Sequence, residues 1–79
     1  MLTEEALATF GSCSTQERQQ LIRSFQQLAE FPDAADFTWS IAGFDYHSKR
    51  FGHWSVTYRI DSPVRQIIIG DIEKLRRRA

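Results

Sequence analysis

The apolar residues of this 79-residue chain change their spacing once, near Pro32, and that change restricts the fold more than any other feature. Before it, Leu21, Ile22, Phe25, Leu28 and Ala29 recur at helical spacing, with Arg18, Gln19, Gln20, Gln26 and Gln27 on the other face. After it, Phe37, Trp39 and Ile41 alternate with Thr38 and Ser40, the period of a strand. Helices first and strands afterwards define the α+β class.

Local signals divide each half. Thr3 can cap a first helix whose apolar face is Ala6, Leu7 and Phe10 and which Gly11 ends. Ser14 and Glu17 form a capping-box pattern opening a second helix, and Pro32 closes it. Only Ser12 and Cys13 lie between the two, so the helices should pack as an antiparallel hairpin. The run from Phe37 continues through Gly43, a bulge or an early strand end, toward Tyr46. His47 to His53 reads as a loop. Trp54 to Ile60 is the clearest strand, with Trp54, Val56, Tyr58 and Ile60 on one face. Asp61-Ser62-Pro63 makes a turn, and Arg65 to Ile69 is β-branched on both faces, as in a central strand. After Gly70, Asp71 can cap a short basic tail, Ile72 to Ala79.

Strands this close in sequence pair antiparallel, because a parallel pair needs a crossover of about a dozen residues. The expectation is one domain, 1–79: an N-terminal helical hairpin packed on a three-stranded antiparallel sheet. Leu7, Phe10, Leu21, Phe25, Leu28, Trp39, Trp54, Val56, Tyr58, Ile60, Ile67 and Ile69 should form its core. Ser55, Thr57 and Arg59 then point to the opposite, polar face.

The composition, 42% hydrophobic and 13% aromatic, is that of a folded protein. No apolar stretch approaches the ~20 residues of a membrane span, and acids stand near Met1 where a signal peptide needs bases. With one cysteine, Cys13, no internal disulfide forms, and a cytoplasmic location is expected. Net charge is zero but uneven: −4 over residues 1–36 and +4 over 37–79. Such asymmetry marks an anionic partner for the second half, or simply two halves that attract.

Phosphate-binding glycine loops, paired cysteines and HExxH are absent from the sequence. Asp45, His47 and His53 match no standard metal spacing, so neither metal nor cofactor is expected. The stretch Tyr46-His47-Ser48-Lys49-Arg50-Phe51-Gly52-His53-Trp54 mixes bases, histidines and aromatics, a mixture suited to RNA. RNA cleavage without a metal needs a base for the 2′-hydroxyl, cations for the phosphorane and an acid for the leaving oxygen. Lys49, Arg50, His53 and Arg59 are the candidate catalytic residues, with His47 an alternative to His53. The competing reading is a solvated hairpin loop.

From Leu7 to about Arg76 the sequence resembles the RelE/ParE superfamily of bacterial type II toxins. The resemblance lies in LIRSFQQLAEFP, then WSVTYRID, a turn, and VRQIIIGDIEKL. It implies a toxin held inactive by an antitoxin, and either a ribosome-dependent mRNA endoribonuclease or a gyrase poison. Three departures stand out. The family's first strand before the helices is missing. Ser55 occupies the arginine position of a Tyr-Arg-x-x-Tyr motif. Asp71, Ile72 and Glu73 replace the basic residues after the last strand's glycine. The resemblance therefore implies a weak or inactive endoribonuclease whose partners are a cognate antitoxin and ribosome-bound mRNA. The alternative is a non-enzymatic interaction domain that binds a partner strand or helix at an open sheet edge. The missing first strand should leave such an edge, which invites a homodimer.

Overall fold

A computed structural model describes residues 1–61, 63–64 and 66–75. Ser62 of the turn, Arg65 of the last strand and the basic tail from Arg76 lie outside the described residues. Helix α1 spans Glu4–Ser12 and α2 Thr15–Glu30; strands β1 Phe37–Ile41, β2 Phe44–Phe51, β3 Trp54–Asp61 and β4 Gln66–Lys74 follow.

The helix starts follow the caps in the sequence. Thr3 Oγ1 accepts from the Ala6 N–H, and Ser14 and Glu17 close a reciprocal capping box that satisfies otherwise orphaned N–H groups. Helix α2 stops at Glu30, ahead of Pro32. Helix α1 runs through Gly11 to a cap at Cys13, because Gly11 has open space around it and no need of a left-handed conformation.

The sheet has the order β1-β2-β3-β4, antiparallel throughout. The additional strand comes from the stretch His47 to Phe51, read from sequence as loop. Its side chains are polar up to Phe51, yet turns on both sides close it into a meander. Ala42 and Gly43, with φ of 53° and 83°, form the first turn, and Gly52, with φ of 58°, opens the second. Positive φ at both turn residues gives the primed geometry whose twist matches a hairpin.

A register shift at Thr57/Tyr58 leaves Gly70 unpaired: Thr57 faces Asp71 while Tyr58 faces Ile69. This bulge moves the inward phase of β4 from odd to even residues. Ile72 therefore enters the core, 3% exposed, and Asp71 turns outward, so Ile72, Glu73 and Lys74, assigned to a capped tail, are strand. Residues 1–3 add a short parallel contact along β4. The Ile69 N–H donates to the Met1 carbonyl, the Thr3 N–H to the Ile69 carbonyl, and Thr3 Oγ1 to the Gly70 carbonyl. Strand β4, expected to be central from its β-branched residues, instead ends the sheet order, and residues 1–3 pair part of its outer edge, which shields the isoleucines. Among the described residues, the opposite edge, β1, has no such partner along its length.

The core is Ala6, Leu21, Leu28, Trp54, Val56, Tyr58, Ile69 and Ile72, with Phe10, Phe25, Ile60 and Ile67 half-buried against it. Leu7 and Trp39 are corrections to the expected core, at 55% and 37% exposed. Both helices pack on β4, and β1 is exposed along its whole length. The alternation in β1 was real, but its apolar phase faces away from the helices. No helix among the described residues is long and apolar enough to cross a membrane.

Candidate functional site

Directly opposed residues in an antiparallel sheet share a face, so the registers sort every side chain. One set, Thr38-His47-Tyr58-Ile69, Lys49-Val56-Ile72 and Phe51-Trp54-Lys74, lies on the helix side. The other forms the open face: Phe37-Ser48-Thr57-Asp71, Arg50-Ser55-Glu73, Trp39-Tyr46 and Arg59-Ile68. Cations, hydroxyls and aromatic rings meet on this open face, which makes it the candidate site.

Arg50 and Arg59 both belong to it. Arg59 lies over the Phe44 ring, 5.3 Å from its centroid, and shares a depression of about 280 Å³ with Tyr46, Thr57, Ile68 and Asp71. Arg50 borders a second depression of about 230 Å³ with Phe37, Ser48 and Ser55. Neither guanidinium forms an ion pair among the described residues. Ser55 stands between Arg50 and Glu73 in one row, so the position where the resemblance places an arginine has a cation beside it.

Lys49 does not join them. It lies on the helix side, 4.0 Å from an Asp36 carboxylate oxygen and 5.8 Å from the Phe51 ring centroid. Asp36 also accepts from the Arg50 N–H, which fastens the start of β1 to β2. His53 is exposed at the β2–β3 turn, where its carbonyl accepts from the Leu75 N–H. His47 rests on the helix side, 5.3 Å from the Tyr58 ring centroid, with Nδ1 3.0 Å from Thr38 Oγ1. Lys49 and Arg50, both candidates from sequence, therefore lie on opposite faces, because adjacent strand residues alternate.

Sequence reading missed the aromatic part of this face. Trp39 stacks on Tyr46, centroids 6.0 Å apart and planes 20° from parallel, flanked by Phe37, 72% exposed, and Phe44, 53% exposed. The hairpin between Ile41 and Phe44 was the signal, because it sets the β1–β2 register and hence which rings share a face.

Electrostatics elsewhere are structural. The Ser14 N–H, with help from Lys74 Nζ at 2.9 Å, holds the Glu17 carboxyl down at about 2. Burial pushes the Tyr58 phenol and the Cys13 thiol up. The Cys13 thiol donates to the Thr9 carbonyl, which suits a packing role. Among the described residues, no three His, Cys, Asp or Glu side chains gather to hold a metal ion.

The face is equipped to hold a phosphate backbone with Arg50 and Arg59 and to stack bases on its rings, each stack contributing about 1–3 kcal/mol. Its proton-transfer groups among the described residues are Tyr46, Asp71 and Glu73; both histidines lie elsewhere. No protein-family model and no curated protein sequence matches the chain. The crystal structure of the isolated E. coli RelE toxin does match, with a TM-score of 0.76 at 16% identity, over 98% of this chain and 83% of that one. The helical hairpin on an antiparallel sheet is a RelE-like fold.

Proposed function

We propose that this RelE-like fold serves as the toxin component of a toxin–antitoxin module and binds RNA across the open face of its sheet. The observation that carries the reading is the placement of Arg50 and Arg59 on one aromatic-lined face, in a fold shared with a known toxin over nearly the whole chain. Arg50 supplies a cation in the row of Ser55, and Arg59 a second one beside Tyr46. A ribosome-bound mRNA is the substrate the resemblance implies. Slow or absent cleavage is expected, because Ser55 stands where the resemblance implies an arginine to stabilise the phosphorane. Lys49 and His53 act only if RNA wraps the β2–β3 end of the sheet.

An antitoxin is the protein partner of this reading. A groove of about 850 Å³ between α2 and β4, lined by Leu2, Phe25, Ala29, Ile60, Ile67 and Ile69, suits an apolar helix or strand of such a partner. The interaction-domain alternative binds a partner strand or helix at an open sheet edge, without the RNA face. Regulated expression separates them. Wild type should arrest growth and retain RNA, while Arg50→Ala/Arg59→Ala should grow normally and lose it. Equal growth and equal RNA retention would overturn the toxin reading and leave the interaction domain.

A further inference from the structure

Strand β1 is unusual for an edge. Natural edge strands carry charges, prolines or bulges that stop a further strand from joining. Phe37-Thr38-Trp39-Ser40-Ile41 has none of these and is exposed at every position. The Ala42-Gly43 turn makes Ile41 and Phe44 the closing pair of the hairpin, so Ile41, Trp39 and Phe37 direct their backbone groups at β2. Thr38 and Ser40 consequently direct theirs outward.

We propose that β1 is a homodimer seam, in which a second copy of this chain adds its own β1 antiparallel about a two-fold axis at Trp39. The register follows from the strand itself. Thr38 then opposes Ser40 of the second copy, and the outward N–H and C=O groups of both exchange about four backbone hydrogen bonds. Trp39 meets its own symmetry mate as a non-hydrogen-bonded pair, the closest type of side-chain approach. Phe37 opposes Ile41 of the second copy on the same face, pairing the 72% and 58% exposed side chains. No like charges oppose each other, because β1 carries none and Asp36 at its start falls opposite the Ala42 turn.

The area suits a reversible dimer. Phe37, Trp39 and Ile41, at 72%, 37% and 58% exposed, lose only the flank of each side chain to an in-plane strand, so the seam is held mainly by backbone pairing. A five-residue seam falls below the ~1,200–2,000 Å² of stable interfaces, so the dimer is weak and depends on concentration. The joined sheets would present two copies of the Arg50 and Arg59 face side by side. This inference does not rest on the toxin reading.

Sedimentation equilibrium across a concentration series tests it, with Phe37→Lys/Ile41→Lys as the disrupting variant. Wild type should rise from 9.2 kDa toward double that mass in the micromolar range. The variant, whose changes are at exposed positions, should stay monomeric with an unchanged circular-dichroism melt. In a Cys13→Ser background, Trp39→Cys should form an intermolecular disulfide under mild oxidation and Thr38→Cys should not, because only residue 39 meets itself. A wild type that stays monomeric at high micromolar concentration would overturn the proposal, whether or not RNA protects β1. So would a dimer that survives Phe37→Lys/Ile41→Lys.

Discussion

The Tyr58 hydroxyl donates a hydrogen bond to the Pro32 carbonyl, 26 residues earlier in the chain, at 2.9 Å. The end of α2 is thereby fastened to the central strand. Tyr58 is fully buried, so the phenol has no water to turn to.

Removing that hydroxyl should matter more than its small size implies. Tyr58→Phe leaves the Pro32 carbonyl short of a partner and should cost about 1–2 kcal/mol. Urea denaturation followed by tryptophan fluorescence measures it. An unchanged midpoint would mean that water replaces the bond.

Core truncations should rank by burial. Leu28→Ala, at a fully enclosed position, should cost about 3 kcal/mol or more. Phe25→Ala, half-buried at the rim of the α2 groove beside Phe10, should cost less despite the larger side chain. Paired thermal melts of the two variants check the order.

Ala42 has a left-handed φ of 53°, a conformation asparagine and glycine adopt with less strain. Ala42→Asn should therefore stabilise the β1–β2 hairpin by roughly 0.5–1 kcal/mol, read as a higher melting temperature. A lower one would show that the turn is not of the primed kind.

Glu17 gives the fold an acid dependence. Its carboxyl is held at about 2 in the folded chain against an ordinary 4.5, so the unfolded chain binds its proton first as pH falls. The stabilisation from its bonds to the Ser14 N–H and Lys74 is complete above about pH 4.5 and disappears as pH falls toward 2. The difference in melting temperature between wild type and Glu17→Gln should shrink over that interval. A constant difference down to pH 2 would remove Glu17 as its source.

Salt dependence distinguishes the cations. If RNA lies across the open face, Arg50→Ala and Arg59→Ala should each flatten the slope of log affinity against log salt by about 0.7, the single-strand value per phosphate contact. Lys49→Ala should leave that slope unchanged, since Lys49 faces Asp36 on the other side of the sheet. Filter binding of a short single-stranded RNA at several salt concentrations measures all of them.

Much of the architecture was local and so legible in the sequence. Thr3, Ser14 and Glu17 mark helix starts because capping satisfies N–H groups within a few residues of the cap. Pro32 ends α2 through its own ring, and the alternation from Trp54 to Ile60 places β3 against the helices without help from elsewhere. Arg59 was placed on the open face for the same reason, and Arg50 and Arg59 were both named as candidate residues.

What tertiary structure decided is everything that depends on which partner a strand meets. Period two shows that Phe37, Trp39 and Ile41 share a face; the β1–β2 register and the reach of the helices turned that face toward solvent. Polar β2 carries too little apolar pattern to announce itself and exists as a strand because β1 and β3 flank it. The bulge at Gly70 reversed the phase of β4 and drew Ile72 inward, and it arises only where β4 lies along β3. Lys49 and Arg50, neighbours in sequence, were separated by the thickness of the sheet. A chain specifies its caps and periods through contacts a few residues long, whereas faces and edges are set by packing between segments far apart in sequence.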